Sequence, residues 1–128
     1  MRRTTKEDRV LIKGALRRAF SRSALKAAAL DAAQVEHFDP RRPKVKRWCL
    51  CNYCKRPEAR SYVEVDHIEP WVPLDKSWDS WVQEVGMTVV VDGLWCPLTN
   101  LQVLCFRCHA KKTASEAAIR RVHRAKRR

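Results

Sequence analysis

The sequence predicts an α+β domain in which a helical arm precedes a small core of short strands tied by a four-cysteine knuckle. Three observations predict it. The first third of the chain has a helical apolar spacing and good helix formers; two Cys-x-x-Cys turns, Cys51 with Cys54 and Cys105 with Cys108, have the spacing of paired metal ligands; and Ser61–Val65, between them, alternates as a half-buried strand does. A chain of 128 residues with 45% hydrophobic content is sized for one domain with a modest core, so metal staples add what burial cannot.

The arm comes first. Thr4 with Glu7 three residues on reads as a capping box, and Val10, Leu11, Ala15, Ala19 and Phe20 follow at helical spacing, which predicts a helix from about Thr5 to Phe20. Ser21-Arg-Ser23 interrupts or recaps it, and the alanine-rich run Ala24–Val35 continues as helix. Asp39-Pro-Arg-Arg-Pro43 ends the helical part, because proline lacks the amide and pushes its predecessor out of the α region. Residues 1–47 are therefore read as a basic helical arm and linker, and residues 48–128 as the metal-tied domain.

Within that domain the first knuckle leads into the strand Ser61–Val65, which delivers Asp66 and His67 at its end. Adjacent residues on a strand point to opposite faces, so these two side chains have room for two different tasks. An insert spans residues 71–99, with four of the five tryptophans. Ser77–Val85 is expected as a short helix, then Met87–Val91, the turn dipeptide Asp92-Gly93 and Leu94–Cys96 as a hairpin, with the tryptophans in the core. After Cys108 the chain turns helical again, with Lys112, Glu116 and Arg120 four apart in favourable pairs and a basic end that frays.

Charge is distributed unevenly. Residues 1–47 carry 14 basic and 5 acidic side chains, residues 48–106 carry 4 and 8, and residues 107–128 carry 9 and 1, which together give the formal charge of +13. Two basic segments flanking an acidic centre suit a polyanion such as double-stranded DNA, while solvated surface charge is the plainer alternative. No run approaches a membrane span and no leader pattern opens the sequence, so a soluble cytoplasmic protein with no membrane partner is expected. In a reducing compartment, cysteines in paired spacing fit metal better than disulfides. Cys51, Cys54, Cys105 and Cys108 are thus the expected structural zinc ligands; Cys49 reads as a spare thiol, Cys96 as a buried strand residue, and His37 and His123 as structural.

In chain order, Cys-x-x-Cys, then Asp66-His-Ile-Glu-Pro70, then Asn100-Leu-Gln-Val-Leu-Cys-Phe-Arg-Cys-His-Ala-Lys-Lys-Thr113 resembles the HNH endonuclease family of the zinc-knuckle type, as found in small phage-encoded nucleases. The likeness runs from about Cys51 to Thr113. It implies a ββα-metal core and a nuclease acting on DNA phosphodiesters, with Asp66 and His109 as ligands of a catalytic Mg²⁺, Mn²⁺ or other divalent ion. It further implies His67 as general base and Asn100 as a catalytic-loop brace that orients His67. An imidazole suits the base role because histidine is the side chain that titrates nearest neutrality. Arg107, Lys111, Lys112 and Arg120, on or beside the last helix, are the candidate DNA contacts. Two readings stand beside this one: a zinc-stabilised DNA-binding module without catalysis, and an accessory protein acting beside a phage terminase. Sequence preference, nicking against double-strand cleavage, and oligomeric state are not written in these spacings.

Overall fold

The computed structural model describes residues 1–128. Its arm is two helices, α1 (Lys6–Ser21) and α2 (Ala24–Ala32), each begun by a side-chain cap. Thr5 caps α1 by accepting from the Asp8 amide at 3.1 Å while the Asp8 carboxylate accepts from the Thr5 amide at 2.8 Å, so the capping box sits one residue later than the Thr4–Glu7 pairing expected. Ser23 caps α2 by accepting from the Lys26 amide, which explains the break at 21–23.

The second helix is shorter than its alanines suggest. Gln34–Val35 leaves it to become β1, pairing antiparallel with β2 (Trp48–Leu50), which pairs in turn with β3 (Pro57–Ala59). Sheet pairing outbids helix propensity here because Trp48 and Cys49, the residues opposite, are almost wholly buried. A second antiparallel pair joins β4 (Val63–His67) to β5 (Leu101–Cys105), with Asp66 opposite Gln102 and His67 opposite Leu101. The helix α5 (Phe106–Lys126) leaves β5 without a linker.

Between β4 and β5 lies the insert, and here one expectation fails. Ser77 does cap a short helix, α3 (Trp78–Val85), but Met87–Leu94 is a second helix, α4, rather than strands of a hairpin. The β-branched run Val89-Val-Val91 misleads by propensity, whereas tertiary burial decides: Val90 and Leu94, one turn apart, are 0% and 2% exposed. Asp92-Gly93 is helix, not turn, and the sharp corner is one position that the dipeptide reading passes over, Gly86 at φ 84° and ψ 159°. Cys96 is buried as expected, though in no strand.

Only 17 residues are buried, and they fall mainly into three small groups rather than one core. Phe20 and Ala29 of the arm pack on Leu94, Cys96 and Leu101; Cys49 packs on Val63 and Val103; Cys51, Leu104, Cys105 and Cys108 form the third. So fragmented an interior gives the arm a structural part: Phe20 of α1 and Ala29 of α2 close over the β4–β5 pair. The tryptophans of the insert are less buried than expected. Trp78 donates its indole N–H to the Arg9 carbonyl at 2.8 Å and sits near Trp71, while Trp95 keeps 36% exposure with its ring edge-on to Phe20. No helix is long and apolar enough to cross a membrane.

Candidate functional site

Two chemically distinct sites are built on the β4–β5 pair and α5. The first is the knuckle. The sulfurs of Cys51, Cys54, Cys105 and Cys108 all lie within 4.8 Å of one another, with Cys54 and Cys105 at 3.9 Å. They converge because one pair sits on the turn after β2 and the other on the junction of β5 with α5, where Cys105 caps the helix by accepting from the Cys108 amide. Lys55 closes the first turn with φ at 61°, in the left-handed region that side chains seldom enter.

The thiols show what the cluster is built for. Burial works to raise the Cys51 thiol, but amides of Cys105, Cys54 and Tyr53 and the Cys54 side chain outweigh it and bring it to about 6. Burial, then the neighbouring Cys105, Cys51 and Cys54, pushes Cys108 up to about 12. The Cys51 thiolate thus forms readily, and its charge is among the causes that hold Cys108 protonated. Four converging sulfurs of this kind can hold a metal ion such as zinc. Cys49 stands apart: fully buried, its Sγ donates to the Leu30 carbonyl at 3.5 Å, and burial pushes its thiol up.

The second site is a cavity of about 300 Å³ lined by Asp66, His67, His109 and Glu116, with Arg17 and Arg120 also in its walls. Strand alternation sends Asp66 and His67 to different partners, as the sequence suggests. Asp66 Oδ2 accepts from Gln102 Nε2 at 3.0 Å and from Lys112 Nζ at 3.1 Å, while Oδ1 faces His109 Nε2 at 3.9 Å. His67 lies against the Phe20 ring, with centroids 5.1 Å apart, and its Nε2 is 2.8 Å from the Leu94 carbonyl oxygen. A carbonyl only accepts, so Nε2 carries a proton, and in the neutral ring Nδ1 is then the nitrogen with the lone pair.

Several expected roles are redistributed. Asn100 bonds the loop after β4, its side-chain amide accepting from the Glu69 N–H at 2.9 Å and donating to the Glu69 carbonyl at 3.1 Å, with its own carbonyl accepting from Ile68. The group that orients His67, however, is the carbonyl of Leu94 at the end of α4. Lys112 is no free phosphate ligand: its ammonium donates to the His67 carbonyl at 3.1 Å and bonds Asp66 and Glu116. Burial works against that ammonium, but the bonds to Glu116 and Asp66 hold its pKa above the usual lysine value. Arg120 spends its guanidinium on the carbonyls of Val72, Pro73 and Lys76, pinning the insert to α5. Arg107 and Lys111 are exposed on the knuckle side, beside Tyr53 and Phe106.

Two site residues escape the sequence reading. Glu116 follows His109 by two helical turns, so helical spacing alone places them on one face, yet its pairing with Lys112 made it look like an ordinary surface partner. Gln102 shows only through the register that sets it opposite Asp66. It also accepts from Asn52 Nδ2 at 2.9 Å, so a line of polar side chains runs from the first knuckle to the Asp66 carboxylate. Comparison of the chain with protein-family models, with curated proteins and with solved structures finds no match in any of the three.

Proposed function

We propose that this chain is a metal-dependent endonuclease that hydrolyses DNA phosphodiester bonds, in the manner of the HNH family that its motifs resemble. The observation that carries the reading is the pairing, around one cavity, of a histidine whose Nδ1 is free to accept a proton with a carboxylate and a second imidazole that face each other. The antiparallel β4–β5 pair running straight into α5 supports a ββα-metal core with the four-cysteine knuckle at its base.

In this reading Asp66 and His109 would hold a divalent ion, which would supply positive charge to stabilise the transition state. Their chemistry fits a hard or borderline cation such as Mg²⁺ or Mn²⁺. His67 Nδ1 takes a proton from a water whose oxygen attacks phosphorus; the bond from phosphorus to the 3′ oxygen breaks, and that oxygen takes a proton from solvent, leaving 5′-phosphate and 3′-hydroxyl ends. Leu94 and Phe20 fix the plane of the imidazole, and Lys112 and Gln102 hold Asp66 with one oxygen turned to His109. Zinc in the knuckle ties β2 to α5 and does no chemistry.

The test is plasmid cleavage with Mg²⁺, Mn²⁺ or neither. His67→Ala is expected to keep zinc, fold and DNA binding and to lose cleavage at every metal concentration. Asp66→Ala and His109→Ala are expected to need more metal and to recover in part when it is added. Cleavage by His67→Ala at the parental rate would refute the choice of base. A parent that binds DNA but cleaves with no metal would leave the binding module.

A further inference from the structure

Beside the cavity of His67 lies a second one, of about 370 Å³, walled by α1, the insert and α5. The two adjoin, since Arg17, Trp71 and Arg120 line both. Six cationic side chains surround the second cavity, Lys13 and Arg17 from α1, Lys76 from the insert, Arg120 and Arg124 from α5 and Arg127 just after it, with no acidic residue among its walls.

Five of these six charges have no acidic partner. Lys76 has Glu84 at 3.1 Å, but Lys13, Arg17, Arg120, Arg124 and Arg127 make no ion pair, although other arginines of the same arm find Asp8 and Asp79. Arg120 and Arg127 are anchored, donating to carbonyls of the 72–76 loop, so their charge is fixed at the rim. Lys13 is half-buried, its ammonium 5.6 Å from the centre of the Trp78 ring. Burial lowers its pKa, and the charges of Arg17 and Arg120 lower it further. Like charges gathered from three elements into one partly enclosed space cost the fold stability unless an anion enters.

We infer that this cavity is a phosphate subsite, which takes a backbone phosphate of the DNA strand next to the one held at His67, with Lys13, Arg17 and Arg124, which make no ion pair, as its contacts. The assignment rests on the nuclease reading for the identity of the strand and deepens it: α1 becomes part of the substrate platform, and the strand is set in register by charge before any base is read. Trp71 and the anchored Arg120 line both cavities.

The test compares two double variants that remove the same charge from the same two helices. Lys13→Gln with Arg124→Gln lies inside the cavity, and Arg18→Gln with Arg121→Gln lies outside it. Binding of a fluorescently labelled DNA duplex is measured by anisotropy across salt concentrations without added Mg²⁺ or Mn²⁺, with circular dichroism to show that each variant is folded. Loss of one phosphate contact lowers the log-log salt slope by about 0.9, equivalent to about eightfold weaker binding at 0.1 M salt. That change is expected of the cavity pair and not of the outer pair. Arg124→Gln alone, an exposed change, should give part of it.

Equal effects of the two pairs would overturn the subsite and leave the nuclease reading standing. A cavity-dependent slope in a parent that never cleaves would uphold the subsite and sink the nuclease. Tight parental binding to vesicles of anionic phospholipid with none to DNA would overturn both.

Discussion

Cys51→Ser illustrates how much rests on single side chains. The chain is expected to carry one zinc, and Cys51→Ser or Cys105→Ser should lose it together with the helical circular dichroism, because ion binding and folding are one event in a small site. Cys96→Ala, in the arm-facing group with Phe20 and Leu101, should keep the zinc and cost about 1 kcal/mol as a small cavity. Metal analysis by mass spectrometry and urea unfolding check the pair. At this scale the sequence is informative where chemistry is periodic or paired: the four sulfurs, and the split of Asp66 from His67, follow from spacing alone. It is silent where an interaction crosses between distant elements. Neither the Leu94 carbonyl that fixes His67 nor the Gln102 amide that holds Asp66 has any local signature, since both depend on how α4 and β5 are placed.

Elements are legible in proportion to their caps. Thr5, Ser23 and Ser77 start three of the helices with a side chain that accepts from the third residue on, and those starts can be read to within a residue. The helix without a side-chain cap, α4, is the one that the sequence disguises as a hairpin, because its start lies in a backbone angle rather than in a side chain. Gly86→Ala tests that account. A Cβ there would meet nothing within 4 Å, so any loss comes from the φ of 84° alone. The expected cost is about 1–3 kcal/mol, measured by urea unfolding of the zinc-loaded protein. Because α4 ends in the carbonyl that orients His67, cleavage should fall further than stability. A cost near zero would mean that the corner relaxes without strain.

For the whole molecule, three thin hydrophobic groups would leave a metal ion held by the knuckle as the dominant staple, and the cysteines of that knuckle couple stability to pH. Depression of the Cys51 thiol to about 6 means its contribution is full above the ordinary value of 9.0 and gone as pH falls through 6. Cys108 acts in the opposite sense only above 9.0, so between 6 and 9 Cys51 sets the sign. In a zinc-loaded protein protons compete with the metal for the thiolates, so acidifying it from about pH 8 to 5 should release zinc and helical signal together, followed with a zinc dye and circular dichroism in one titration. Unfolding that precedes zinc release would show that the hydrophobic groups fail first. The separation of the two cysteine pairs has a consequence for synthesis as well. A ribosome delivers Cys51 and Cys54 long before Cys105 and Cys108, and β4 likewise waits for β5 while the whole insert emerges. The growing chain therefore offers only half a ligand set until Cys105 and Cys108 emerge, and any metal that the four sulfurs hold together can be captured only after β4 has gained its partner strand.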